Sequence, residues 1–172
     1  MTTAMNTKLQ LTWLAPDERI EVKKFYCQYM PYARLLQKES VCVLTQADPN
    51  LDRFSEITSS KIACSKIIAS ARIRPIGELA ILTGMLVHPD FRGQGVGHKL
   101  MQALDSVLCD GKTYIFALAH LEGFYAQHGF TVIEDAPNDI AQLFLKYQGP
   151  EKELVLMGLT PFNPDSETAP NN

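Results

Sequence analysis

The chain has 172 residues, 46% of them apolar and 20% charged. That is the size of one ordinary domain, able to bury a core without disulfides or metals, and it excludes disorder for the bulk of the chain. With 16 basic against 19 acidic residues and a pI near 5.8, the chain offers no strongly basic field, so nucleic acid is not expected as a partner.

Residues 8–14 alternate enough for a first strand. Pro16-Asp17 supplies a turn and an N-cap, after which Val22, Phe25, Tyr26, Tyr29 and Met30 fall at helical offsets along one face. Pro31 ends that helix, and a second short helix is predicted over 32–38. Residues 40–45 read as a strand rich in β-branched side chains, and the polar stretch 46–60 as a loop. A strand follows at 66–74, then turn chemistry at Pro75-Ile76-Gly77. Residues 79–87 (LAILTGMLV) are apolar at both odd and even positions, which predicts a central strand covered on both sides.

Beyond a glycine-rich loop, 97–108 is helical, with Leu100, Leu104, Val107 and Leu108 on one face and Asp110-Gly111 as its breaker. A strand at 114–118 leads to a short helix over 121–128, stopped by Gly129. A strand at 131–134, a helix over 140–148 and a strand at 153–159 complete the domain. This order predicts an α/β (α+β) fold: a mixed, mostly antiparallel sheet of six to seven strands with helices on both faces. One domain over 1–162 and a disordered polar tail over 163–172 are expected.

Cys27, Cys42, Cys64 and Cys109 form no CxxC pair and read as reduced, small apolar core residues, with no metal site. The first fourteen residues lack a basic flank followed by an apolar run, and no stretch reaches ~18 apolar residues. No membrane association and a cytoplasmic location are therefore expected.

The segment that carries chemistry is Val87-His88-Pro89-Asp90-Phe91-Arg92-Gly93-Gln94-Gly95-Val96-Gly97. It joins the central strand to an amphipathic helix. Glycines at alternate positions let successive backbone N–H groups converge, and the helix N-terminus adds its positive dipole end. Such a cradle suits a phosphate or pyrophosphate, with Arg92 as a fixed charge at its rim. Neither the Walker loop nor the dinucleotide fingerprint fits the glycine spacing. Alone, the glycines would equally serve as a tight strand-to-helix turn.

They are not alone. Val-x-Pro-x-x-Arg-Gly-x-Gly-x-Gly resembles the acetyl-CoA-binding motif of the GNAT superfamily of N-acetyltransferases, whose core is Gln/Arg-x-x-Gly-x-Gly/Ala. Downstream, Phe124-Tyr125-Ala126-Gln127-His128-Gly129-Phe130 matches that superfamily's Phe-Tyr-x-x-x-Gly-Phe element. The resemblance covers roughly 66–130 and implies a GNAT-like acyl-CoA N-acyltransferase fold. It further implies an acetyl-CoA-dependent N-acetyltransferase with acetyl-CoA as cosubstrate and no metal. The acceptor would be a primary amine of a small molecule or of a peptide or protein, attacking the thioester directly.

Residue by residue, the resemblance assigns Met85, Leu86 and Val87 to the pantetheine arm, through their backbone. Arg92, Gly93, Gln94, Gly95, Val96 and Gly97 go to the pyrophosphate, and Gly84 to a bulge that admits the thioester. Tyr125 stands at the position of the general acid: a tyrosine with pKa near ~10 is protonated at neutral pH and can donate to the leaving thiolate, whose pKa is near ~8.5. The glutamate that many relatives carry in the central strand is absent, since Ile81 stands there. Glu78 is the candidate base acting through water, with His120 and Glu122 as alternatives. Ala117 replaces an asparagine that some relatives place near the cofactor. Tyr26, Tyr29 and Tyr32 are candidates to line the acceptor site or to pack in the core, and Arg34 and Glu39 are candidates to select charge in a substrate. A homodimer is common in the superfamily, and the apolar stretch 153–159 serves either to pair across subunits or to close the sheet within one chain. The competing reading is a catalytically silent acyl-CoA-binding sensor or partner module.

Overall fold

The computed structural model describes residues 9–46, 66–108 and 111–160. The expected loop beyond Gln46, the helix breaker at Asp110, the tail, Cys64 and Cys109 lie outside the described residues. Seven strands form one mixed sheet in the order β1-β2-β3-β4-β5-β7-β6. They are β1 (Leu9–Leu14), β2 (Ser40–Gln46), β3 (Lys66–Ile76), β4 (Leu79–Val87), β5 (Thr113–Leu118), β6 (Phe130–Val132) and β7 (Leu154–Leu159). The helices are α1 (Ile20–Tyr29), α2 (Val96–Leu104), α3 (Glu122–Ala126) and α4 (Asn138–Tyr147). β4 is the fourth of the seven strands, as its two apolar faces predict.

By its contacts the chain forms two compact units, Met1–Pro75 with Leu82–Asp105, and Ile76–Ile81 with Ser106–Asn172. In the first, β1 and β2 pair antiparallel with Leu14 opposite Val41, and β2 and β3 with Val41 opposite Arg72 and Val43 opposite Ser70. The helical stripe of α1 packs on this face: Val22, Phe25 and Tyr26 are buried with Leu14, Val41, Val43, Ile67 and Leu86, and Tyr29 and Met30 flank them. Burying such a cluster is what holds a ten-residue helix that would be marginal alone. The helix ends at Tyr29 because Met30, ahead of Pro31, has left the helical region (φ −146°, ψ 67°).

In the second unit β7 lies between β5 and β6 and pairs antiparallel with both. The apolar stretch thus closes the sheet within one chain, leaving neither edge for a second subunit. Ile140 of α4 is buried with Ile81, Tyr114 and Leu156.

Five expectations need correction. No helix forms over 32–38, since side chains take up that segment's backbone groups: Arg72 Nη1 donates to the Arg34 carbonyl, Arg19 to the carbonyls of Gln37 and Glu39, and the Leu36 N–H to the Glu39 carboxylate. A 3-10 turn (Pro16–Glu18) precedes α1, which displaces the N-cap from Asp17 to Arg19. β3 runs through Pro75, near its end, where a missing N–H is tolerated, and the turn is Gly77-Glu78. α2 stops at Leu104, before the weak helix formers Asp105 and Ser106, and Val107 is exposed. Cys42 is a buried free thiol as expected, but Cys27 is exposed.

Candidate active site

The first unit holds the glycine-rich segment. β4 leads through His88 into a 3-10 turn (Pro89–Phe91), then a turn over residues 92–95, then α2. Gly93 (φ +73°) and Gly95 (φ +75°) adopt left-handed backbone, while Gly97 lies inside the first turn of α2. Two of the three glycines therefore use positive φ, and a Cβ on either would meet nothing within 4 Å. That open space, with an N-cap glycine that offers no side-chain cap, leaves the N-terminus of α2 without a capping side chain and with room beside it. Anions bind at such ends. Arg92, Gly93, Gln94 and Gly95 are exposed, whereas Val96 is buried and anchors the helix.

Two side chains brace the loop from within. Arg92 Nε donates to the Val87 carbonyl (3.1 Å), and Gln94 Nε2 to the Asp90 carbonyl (2.9 Å). Of the strand-end groups expected to meet a donor, the Val87 carbonyl is thus taken by Arg92. Met85 and Val87 are half-buried, and Leu86 sits in the α1 core. His88 is more than loop. Its Nδ1 accepts the Asp90 N–H (3.2 Å), so Nε2 carries the proton and donates to the Tyr29 hydroxyl (2.9 Å). Its ring also stacks on Phe25.

Inside β4, Gly84 has left-handed backbone (φ +60°), the conformation glycine takes in one class of strand bulge. Its carbonyl accepts the Tyr26 hydroxyl at 2.6 Å. Tyr26 is 1% exposed, and burial pushes its hydroxyl well above the ordinary tyrosine range, so it stays a donor. Glu39, a candidate to select charge in an acceptor, is instead buried and paired with buried Arg72 (3.0 Å). Tyr32 is exposed.

The second unit holds Tyr125 on α3, with Gly129 (φ +85°) behind the helix end. Tyr125 is buried among Phe124 and Phe130, and burial pushes its hydroxyl up to about 12. It is therefore a neutral proton donor throughout the physiological range. Glu78 is exposed in the turn at the opposite end of β4 from the glycine loop. His120 and Glu122 lie where β5 passes into α3. Ile81 and Ala117 are buried apolar positions.

Sequence reasoning missed the roles of Ser70 and Arg72. Ser70 and Arg72, at alternate positions amid the apolar residues of KIIASARIR, were the available signal: they share a face, and both are buried.

Residues 58–132 match the family model of the acetyltransferase (GNAT) domain, a span that includes both the glycine loop and Tyr125. That segment is similar to a GNAT acetyltransferase domain. Acyl transfer is the reaction class of the family that the segment resembles. Solved structures agree in fold. Escherichia coli ElaA superposes with a TM-score of 0.58 at 17% identity over 88% of this chain and 99% of its own. The ribosomal-protein-S18-alanine N-acetyltransferase from Escherichia coli gives 0.55 at 14% identity over 92% and 98%. The IAA acetyltransferase from Bacillus cereus gives 0.56 at 10% identity over 88% and 99%.

Proposed function

We propose that this chain is an acetyl-CoA-dependent N-acetyltransferase of the cytoplasm, acting on a primary amine of a small molecule or of a peptide or protein. The observation that carries the reading is the glycine loop: two left-handed glycines with open space over them, at an uncapped helix N-terminus, directly after a strand that bulges at Gly84. Convergent N–H groups and the Arg92 charge fit a pyrophosphate. The acidic chain favours a cationic acceptor, such as a polyamine, an aminoglycoside or a lysine side chain.

In this reading the Arg92–Gly97 loop holds the pyrophosphate, and the Met85–Val87 backbone holds the pantetheine arm, Arg92 releasing Val87 where the arm needs its carbonyl. The donor supplies an activated thioester. The acceptor nitrogen forms the new C–N bond, the C–S bond breaks, and Tyr125 gives the departing thiolate its proton. The raised pKa of Tyr125 keeps that proton in place before reaction. The acceptor must be neutral when it attacks. Glu78 is the carboxylate to test for that proton, and its exposed place at the far end of β4 assigns it a minor, solvent-mediated part.

The test is calorimetric titration with acetyl-CoA, desulfo-CoA and ATP, followed by thiol release across an amine panel. Binding of the CoA compounds but not ATP, with amine-dependent release, supports the reading. Binding without release from any amine points to a silent acyl-CoA sensor. No binding by folded protein removes the reading.

A further inference from the structure

The acyltransferase reading leaves one buried cluster without a role. It lies entirely within the first unit and converges on Gly84. From α1, the Tyr26 hydroxyl donates to the Gly84 carbonyl (2.6 Å). From β3, the Arg72 guanidinium covers the same glycine: a Cβ at position 84 would collide with Arg72 Nε and lie 2.9 Å from Cζ and Nη2. Arg72 cannot swing aside freely. Its Nη1 donates to the Glu39 carboxylate (3.0 Å) and to the Arg34 carbonyl (2.7 Å), and its Cζ lies 5.0 Å from the centroid of the Tyr26 ring. Glu39 is itself held, accepting the Leu36 N–H.

Two features mark this as more than packing. Arg72 Nε is buried and has no hydrogen-bond partner. Unpartnered buried donors are rare and costly, and each asks for a reason. Second, the hydroxyl protons are committed. Ser70 Oγ donates to the Cys42 carbonyl (2.8 Å), so toward Tyr26 it is an acceptor at 3.0 Å, and the single Tyr26 proton goes to the nearer acceptor, the Gly84 carbonyl at 2.6 Å. The network therefore fixes the direction of the Gly84 carbonyl. Fixing that carbonyl fixes the peptide plane between Gly84 and Met85.

We propose that Tyr26 and Arg72 are positioning residues that hold the β4 bulge at Gly84 in the shape that seats the acyl end of the donor. They touch neither donor nor acceptor. They act through Gly84, Tyr26 by its hydrogen bond and Arg72 by filling the space above the glycine. The proposal rests on the acyltransferase reading, and it separates two parts of one ligand: the glycine loop takes the pyrophosphate, whereas the bulge governs the thioester.

The test measures dissociation constants for CoA and acetyl-CoA by calorimetry in wild type, Tyr26→Phe, Ser70→Ala and Arg72→Lys. Val22→Ala is the structural control, since Val22 is fully buried in the same α1 core and has no part in the cluster. Tyr26→Phe is expected to keep CoA affinity within twofold and to weaken acetyl-CoA at least fivefold. Ser70→Ala should shift the ratio the same way by less, and Arg72→Lys the same way as Tyr26→Phe. Val22→Ala should lower the melting temperature and leave the ratio unchanged. The proposal is overturned if both affinities move together in Tyr26→Phe, if neither moves, or if Val22→Ala moves the ratio as far. If Arg72→Lys does not fold, Tyr26→Phe and Ser70→Ala decide. Wild type that binds neither compound overturns the acyltransferase reading itself, a result visible before any variant is made.

Discussion

Replacing Gly84 by alanine tests the bulge most sharply, because Gly77 provides an internal control. Both glycines have the same backbone, φ +60° and φ +59°. An alanine held in left-handed backbone costs roughly 1–2 kcal/mol at either position. At Gly77 nothing lies within 4 Å of the new methyl group, so the cost stops there. At Gly84 the methyl collides with Arg72, whose pair with Glu39 is almost fully buried. Displacing the guanidinium leaves a buried carboxylate uncompensated, which costs about 3–5 kcal/mol more. The total of about 4–7 kcal/mol is a large part of the 5–15 kcal/mol that stabilises a typical domain. For a chain of this size the melting temperature moves roughly 2–4 °C per kcal/mol. Gly77→Ala should therefore lose about 2–8 °C and Gly84→Ala about 8–28 °C by scanning calorimetry. In an Arg72→Met/Glu39→Gln background, the extra cost of Gly84→Ala should vanish. Equal losses for the two glycines in the wild-type background, or an unchanged Gly84 cost in the double-variant background, would falsify the account.

Tyr125→Phe is expected to lower kcat about 10²–10⁴-fold while acetyl-CoA still binds, measured by thiol release and calorimetry. Glu78→Gln should lower the rate less than threefold, given its exposure at the far end of β4; a drop near a hundredfold would restore it as the base. Alkaline stability reports the buried tyrosines. Tyr125 titrates near ~10 in the unfolded chain and at about 12 when folded. Between those values the unfolded state has lost a proton that the folded state keeps, so stability falls as pH rises, by about 1.4 kcal/mol per unit from this residue alone. Urea titrations between pH 9.5 and 11.5 (values spanning the roughly two-unit window above the ordinary tyrosine pKa) should show a shallower decline in Tyr125→Phe; identical slopes would mean that the hydroxyl is not buried in solution.

Elements written in local periodicity were legible in the sequence. The 0, 3, 4 offsets of Val22, Phe25 and Tyr26 became the buried stripe of α1. The two-faced apolar run became β4 with unchanged bounds. Glycines and their punctuation placed the loop, the bulge and the end of α3. What could not be read locally was fixed by partners far along the chain. Residues 32–38 carry helix-compatible side chains, yet their carbonyls and N–H groups are satisfied by Arg19, Glu39 and Arg72. The Arg72–Glu39 pair spans 33 positions, and no pattern window reaches that far. Glu39 therefore read as a charge available to an acceptor. The candidate site was legible where it is backbone, in Gly84, Gly93 and Gly95, and illegible where it is a buried polar network.

The strand order of the second unit also bears on how the protein is made. β7, the last strand, is inserted between β5 and β6, and β6 pairs antiparallel with it. During synthesis, β5 and β6 emerge first and wait with the facing edges unzipped until β7 arrives. Exposed edges of this kind invite pairing with other chains. A ribosome that stalls, or a nonsense codon before Leu154, would thus release a product with an intact glycine loop and two adhesive strand edges, marked for aggregation or quality control rather than for partial activity.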